Sequence, residues 1–439
     1  MKNLYVGAAK VNIDLTEELQ PYPSFNRVPF EGVYSECNMR VIVVDNGKTQ
    51  AAVLGYDLGG IPSDPELKHK IEAKFGITAE HIFLTATHNH TGCDIVMSPD
   101  REDRKKAAGY QKLLEERTME ALEKARKNMR CARYGYGEGK SYINGNRDMA
   151  TSMGTFTQGY EPEGYCDRTV SVMKFVDEND DLIAAVVNYG MHATLGFLDV
   201  DVDGKTKSSG NIPGIAEEYV EARYGNDSVV LWTSAAAGDQ NPELYCLRDY
   251  GEDGFPYMAR LVPGLQYNMI RIMGKRHGVD ICNTIDRIDT YSSRMPLKFG
   301  QKMIELPAQK FEAPFDHQRI NDLTNHIYKP EPGEELPVAV PDEEHTVPLY
   351  IQELIFGDIA FVGVAAEIYA LIGKACKEIS PYRKTMVITH IGPNAGYVID
   401  RTSVSHQCFE QFGPIRAGGC DEVIAEGVRS LFDDMLEDT

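Results

Sequence analysis

One order of patterns occurs three times along the chain and narrows what it can fold into. In residues 39–57, "MRVIVVDNGKTQAAVLGYD", two β-rich runs flank Asn46-Gly47, a dipeptide that favours the tight turn of a hairpin. Residues 63–76, "SDPELKHKIEAKFG", carry helix signals: Ser63 or Asp64 as a cap, Pro65 in the first turn and Gly76 as a stop. A third apolar run, Ile82 to Thr87, delivers His88. The middle of the chain repeats the order with "VSVMKFVDENDDLIAAVVNYGMH", "IPGIAEEYVEARYG" and "SVVLWTSAAAGDQNP". The C-terminal part repeats it with "YIQELIFGDIAFVGVAAE", "IYALIGKACKEI" and "TMVITHIGPNAGY". Three ββαβ-like units are expected, and with them an α/β fold of mixed β-sheets with outer helices. Chance similarity is the competing account, and it requires the units to differ in connectivity or strand direction.

Each unit offers one polar residue after its second strand and another after its third: Asp57 and His88, His192 and Asp239/Asn241, Glu367 and Tyr397. Glu367 follows Gly357 by ten residues, as Asp57 follows Gly47. Strand ends and the loops behind them are where rigid scaffolds carry chemistry. His88 and His90, at i and i+2 of an extended segment, point to one side and can offer two imidazoles to one cation. Ordinary hydrogen bonding is the blander role for such a pair. Thr91-Gly92, just downstream, permits a tight turn and close backbone approach. Glu367 follows an apolar run, where a carboxylate is costly to bury unless it is paired, protonated or bound to a cation. The alternatives are a helix-capping role for Glu367 and a satisfied core histidine at His192. His69, His277, His317 and His345 lie in polar stretches, are expected to be exposed, and receive no chemistry.

Elsewhere, residues 102–129 place Tyr110, Leu114, Ala121, Leu122, Ala125 and Met129 at helical spacing, an amphipathic surface helix. The Pro/Glu-rich segment 329–345 reads as a loop or insertion. No convincing linker interrupts the chain, so residues 1–439 are expected to form a single domain. A formal net charge of −21 argues against nucleic acid and anionic membrane surfaces, and favours a small-molecule partner. Nine cysteines without a Cys-x-x-Cys pair read as reduced thiols. Lys10 and Asp14 precede any apolar run of signal-peptide length, and no 18-residue apolar run exists, so a cytoplasmic location without stable membrane association is expected. Oligomeric state is not legible.

"LYVGAAKVNI", "LTATHNHTG", "INGNRDM", "VVNYGMHAT", "AAAGDQNP", "GVAAE" and "GPNAGYV" occur in an order that resembles the catalytic domain of the neutral ceramidase family, zinc amidases that hydrolyse the N-acyl bond of ceramide. The resemblance spans nearly the whole chain. It implies His88, His192, Glu367 and Tyr397 as ligands of one Zn²⁺, with His90 and Arg147 close to the metal and acting on the substrate. Two departures stand out. The family's Gly-Asp-x-Ser-Pro segment is here Gly238-Asp239-Gln240-Asn241-Pro242, and an amide is no nucleophile. The tyrosine-rich stretch after the last ligand is replaced by "IDRTSVSHQCFEQF", and the C-terminal immunoglobulin-like domain has no counterpart.

These features lead to the expectation of a zinc-dependent hydrolase cleaving an amide of a soluble small molecule by metal-activated water. Arg147 would stabilise the oxyanion, His90 would move protons, and Tyr397 would act either as a neutral donor or as a phenolate ligand. Asp57, Asp239 and Asn241 would contact substrate. A zinc lyase or isomerase, and a non-catalytic metal or ligand binder, are the alternatives.

Overall fold

The computed structural model describes residues 4–22, 29–93, 101–150, 156–196, 199–225, 227–246, 248–250, 256–258, 263–312, 315–316, 319, 333 and 336–437. After β1 (Leu4–Asn12), the first unit supplies β2 (Asn38–Asp45), β3 (Gln50–Tyr56), α1 (Leu67–Phe75) and β4 (Ile82–Ala86). Helix α2 (Arg101–Lys127) and strands β5 (Arg130–Lys140), β6 (Asn144–Ala150) and β7 (Phe156–Glu161) lead to the second. That unit consists of β8 (Thr169–Val176), β9 (Leu182–Tyr189), α3 (Asn211–Tyr224) and β10 (Val229–Ser234). Next come β11 (Gln240–Pro242), α4 (Leu265–Asp286) and β12 (Leu297–Phe311). The third unit contains β13 (Ala339–Phe356), β14 (Ile359–Val364), β15 (Glu367–Ile368), α5 (Ala370–Ile379) and β16 (Lys384–Thr389), followed by β17 (Tyr397–Val398) and α6 (Cys420–Glu437).

In all three units the hairpin is antiparallel and the third strand runs parallel to the second. Connectivity and strand direction therefore repeat. The first two units share one eight-stranded sheet, in the order β10-β9-β8-β5-β1-β2-β3-β4, and the third builds a four-stranded sheet, β12-β13-β14-β16.

The strands alternate, but both faces are apolar. Val6, Ile42, Val44, Val53, Phe83, Phe175, Val186 and Leu231 face the small sheet, where they join Leu354, Phe361, Val362 and Met386 in one core. Their neighbours Val41, Val43, Leu54 and Leu84 face α1 and α2, and Val172, Val187, Val230 and Trp232 face α3 and α4. Helices α5 and α6 cover the far side of the small sheet through Ile372, Cys376, Ile424, Val428 and Leu431. Four layers result, helix–sheet–sheet–helix. Burying each such aliphatic side chain contributes roughly 1.5–3 kcal/mol, so strands buried on both faces fix the register of the loops that follow them.

Polar stitches join the carboxyl ends of the strands. Asn188 donates from Nδ2 to the carbonyl of Val387 at 3.0 Å, and Thr85 Oγ1 donates to the carbonyl of Thr389 at 3.2 Å. Thr389 Oγ1 in turn donates to the carbonyls of Ser234 and Ala235. Three strand ends from three units are thus locked against one another.

Three expectations need correction. His277, from a polar stretch, is fully buried: its Nε2 accepts the indole N–H of Trp232 at 3.1 Å and its Nδ1 lies 3.0 Å from Ser141 Oγ. Its helix α4 packs its inner side on the core, which local polarity did not reveal. His69 and His345 are exposed as expected, and His317 lies outside the described residues. Within 329–345, residues 329–332, 334 and 335 lie outside the described residues, while 339–345 begin strand β13, of which 339–342 pair with β12 and 343–345 bulge. The third concerns ten-residue spacing. The first hairpin turns over residues 46–49 and the third over 357–358, so equal spacing from the glycine does not mean equal register. The last paired residues are Tyr56, Tyr189 and Val364. His192 and Glu367 each stand three residues beyond, where the first unit has Gly59, whereas Asp57 aligns with Gly190 and Ala365.

Helix α2 buries Tyr110, Leu114, Ala121, Leu122 and Ala125, the face its sequence spacing assigns to the core, while Met129 lies just past its end. Among the described residues eight cysteines are free, and no helix is long and apolar enough to cross a membrane.

Candidate metal centre

The carboxyl ends of β4, β9 and β14 bring His88, His192 and Glu367 to one point. Glu367 Oε2 lies 3.2 Å from His88 Nε2 and 3.1 Å from His192 Nε2. Tyr397, opening β17 beside Glu367 in parallel pairing, puts its hydroxyl 3.3 Å from His192 Nε2. His90 Nε2 is 3.3 Å from His88 Nε2, and the imidazoles of His88, His90 and His192 offer ligand atoms within 4.8 Å of one another. Close approach is possible because small residues line the turns. A Cβ on Gly238 would sit 2.7 Å from the carbonyl oxygen of Glu367, and one on Gly92 would sit 2.8 Å from that of Asp57.

The ring tautomers follow from the outer hydrogen bonds. His88 Nδ1 donates to the carbonyl of Gly59 at 2.8 Å, and His192 Nδ1 donates to that of Ala237 at 2.6 Å. A carbonyl only accepts, so each ring carries a proton on Nδ1 and turns its Nε2 toward the Glu367 carboxylate. Burial, with the charge of Arg147 nearby, pushes His192 down to about 4, which keeps that ring neutral. Burial alone would raise Glu367, but positive charge on His88, with hydrogen bonds from the His192 and His88 rings, holds its carboxyl well below the usual range. Two Nε2 atoms therefore converge on one carboxylate oxygen. With the Tyr397 hydroxyl they make an N, N, O and O donor set of the kind that suits Zn²⁺. Burial, followed by the Glu367 charge, raises the Tyr397 phenol well above its ordinary value, so the hydroxyl retains its proton and donates to His192 Nε2.

Arg147, on β6, is fully buried, with its guanidinium 5.6 Å from the centroid of Tyr397 and 5.4 Å from that of Phe409. Its NH1 donates to Asn241 Oδ1 at 3.2 Å, and its NH2 pairs with Glu410 at 2.6 Å. Asp239 is held from within: Asn146 donates to Oδ2 and the Ala370 N–H to Oδ1, and burial followed by the charge of Asp148 pushes its carboxyl up to about 7. Asp57 lies apart from the histidines, in a buried group where its Oδ2 accepts from Arg40 and from the Asn38 N–H. Of the expected residues the structure gathers His88, His90, His192, Glu367, Tyr397, Arg147 and Asn241, with Asp239 behind them and Asp57 elsewhere.

Several residues escaped the sequence reading. His390, one residue past β16, is buried and stacks on His88 with ring centroids 3.8 Å apart. A histidine directly after "TMVIT", like His88 after "FLTAT", was the available signal. Asn394 donates from Nδ2 to Glu367 Oε1 at 2.8 Å. Asp148, Cys408 and Glu410 form a second buried group of ligand-type atoms, but Arg147 beside Glu410 and His406 beside Asp148 at 2.9 Å counter its two carboxylates.

Two histidines, a glutamate and a tyrosine gathered at strand ends of a mixed α/β sandwich form a candidate metal centre. The fold is that of the neutral ceramidases. The chain is similar to neutral ceramidase from Pseudomonas aeruginosa, with a TM-score of 0.70 and 18% identity over 99% of this chain and 74% of that one. It is equally similar to a ceramidase complexed with C2, with a TM-score of 0.70 and 16% identity over 100% of this chain and 76% of that one. No protein-family model and no curated sequence matches the chain.

Proposed function

We propose that the protein is a zinc-dependent hydrolase, amidase-like, acting on a soluble small molecule, with the whole chain as one catalytic domain in the cytoplasm. The observation that carries this reading is the convergence of His88 Nε2 and His192 Nε2 on one Glu367 oxygen with the Tyr397 hydroxyl beside them, a donor set that suits a cation. The ceramidase-like fold supports hydrolysis as the reaction class.

His88, His192, Glu367 and Tyr397 would hold the ion. Bound zinc supplies an acidified water near neutral pH and a Lewis acid for a carbonyl oxygen. Arg147, buried and fixed between two rings, places a guanidinium where negative charge develops on the substrate oxygen. Tyr397 keeps its proton and donates toward the same region. His90, tethered by its backbone N–H to the carbonyl of Ala193 at 3.0 Å, takes a proton at Nε2 and passes it to the leaving nitrogen. Asn241 accepts from Arg147 and thus orients the guanidinium rather than attacking, which favours water as the nucleophile.

Ceramide is disfavoured by Asn241 in the serine's place and by a net charge of −21 that an anionic bilayer repels. The test is a screen of zinc-loaded protein against soluble N-acyl metabolites and short-chain ceramide, with His192→Ala as control. Turnover of a soluble amide, abolished in the control, is expected. Rapid ceramide hydrolysis would overturn the substrate assignment, and proton exchange into a substrate without cleavage would move the enzyme to the isomerase or lyase class.

A further inference from the structure

Glu367 uses its two oxygens differently. Oε2 faces the two histidines, whereas Oε1 accepts a hydrogen bond from Asn394 Nδ2 at 2.8 Å. The amide orientation is fixed by its other end, because Asn394 Oδ1 accepts the backbone N–H of Gly396 at 2.9 Å in an Asx turn. With Oδ1 committed there, the donor must point at the carboxylate.

The loop itself does not depend on this side chain. The Glu367 N–H donates to the carbonyl of Gly396 at 3.0 Å, the Ala395 N–H to that of Ala365 at 2.9 Å, and the Tyr369 N–H to that of Val398 at 3.0 Å. Residues 395–398 are therefore zipped along 365–369 by the main chain. The terminal torsion of a glutamate is broad and roughly two-fold, so without an external partner the carboxylate samples orientations that do not present Oε2 to both imidazoles. Asn394 is exposed while the carboxylate it restrains is buried.

From this geometry we infer that Asn394 is a positioning residue for Glu367, setting the affinity of the metal centre from the solvent side. The inference rests on the metal reading of the site. Partners of this kind, one shell out from a ligand, typically change metal affinity by about 10–100-fold. Asn394 also makes the outward-facing part of the centre, so a substrate that competes for its amide would loosen the carboxylate.

Two substitutions separate the donor from the turn. Asn394→Ser keeps an oxygen able to accept the Gly396 N–H but is too short to reach Glu367, and Asn394→Ala loses both contacts. Zinc affinity is measured by competition with a chromophoric chelator, alongside melting of the metal-free proteins. Both variants are expected to bind zinc at least about tenfold more weakly than wild type, with unchanged metal-free melting temperatures. Wild-type affinity in Asn394→Ser, or weaker binding that tracks a lowered metal-free melting temperature, assigns the residue a turn-forming role alone and overturns the inference. A wild type that takes up no more zinc than His192→Ala overturns both this inference and the metal reading.

Discussion

Two buried polar clusters in this protein are built from similar parts and solve opposite problems. At the first, Arg40 is surrounded by Asp57, Glu217 and Glu221 at 3.1, 2.7 and 2.9 Å, and Lys10 reaches Glu221 at 2.7 Å. At the second, His88 and His192 converge on Glu367 with no lysine or arginine among the three. Both join distant segments and both are almost fully buried. The first provides its own positive charge and ties β2 and β3 to α3. The second gathers only imidazoles around its carboxylate, ligand-type atoms that suit a candidate site rather than a structural brace. Burial of a carboxylate is thus not diagnostic by itself; the groups that face it are.

The contrast can be broken most forcefully at Arg40. Arg40→Met strands three buried carboxylates with Lys10 alone, and removal of one partner from a buried charge cluster costs about 3–5 kcal/mol. A lower urea midpoint with unchanged zinc per folded chain is expected. Loss of zinc in step with stability would mean that the two clusters are one unit.

Chelation probes the other cluster. Zinc at 100 times its dissociation constant adds about 2.7 kcal/mol to the folded state, so removing it should lower the melting temperature while the far-ultraviolet circular dichroism stays native. A chain of this size has a core of its own and should not unfold. Complete loss of secondary structure on chelation would contradict the division between brace and site.

A smaller effect is expected at Glu353, which sharpens the comparison by adding a third solution. This side chain is fully buried on β13, neither oxygen has a hydrogen-bond partner among the described residues, and burial pushes its carboxyl up to about 9. Here the charge is avoided by keeping the proton. Because the folded-state value lies above the ordinary 4.5, unfolding releases the proton, and stability declines as pH rises from 4.5 toward about 9. Glu353→Met should stabilise the protein by on the order of 1 kcal/mol at pH 5, with the gain widening up to about pH 9. A pH-independent difference in unfolding midpoint would show that Glu353 is ionised or solvated in the folded state.

Much of the fold and of the candidate site was legible in the sequence because hairpin, helix and strand signals are local. Asn46-Gly47 and Gly357-Asp358 mark turns, and apolar runs of strand length mark their arms. His88, His192 and Glu367 were found because each stands directly behind such a run. What a short window could not show is set by partners that are remote. Asp57 has a polar residue's place in the pattern, but its role is set by Arg40 and, through it, by Glu217 and Glu221 some 160 residues away along the chain. The burial of His277 depends on Trp232 and Ser141, and the pairing of Arg147 on Glu410. None of these partnerships has a signature within a short window.

The strand-end stitching has a kinetic corollary. His192 and Glu367 are 175 residues apart, and Thr85 reaches Thr389 across 304. Contacts of such long range pay their loop-closure entropy before they return any stabilisation, so they form slowly. Each ββαβ unit can acquire its hairpin and crossover helix from nearby chain, but the point where the three meet must wait for the last unit to dock. The polar centre is therefore expected to be completed last, and a molecule arrested one step short would have nearly all of its secondary structure but no assembled candidate site.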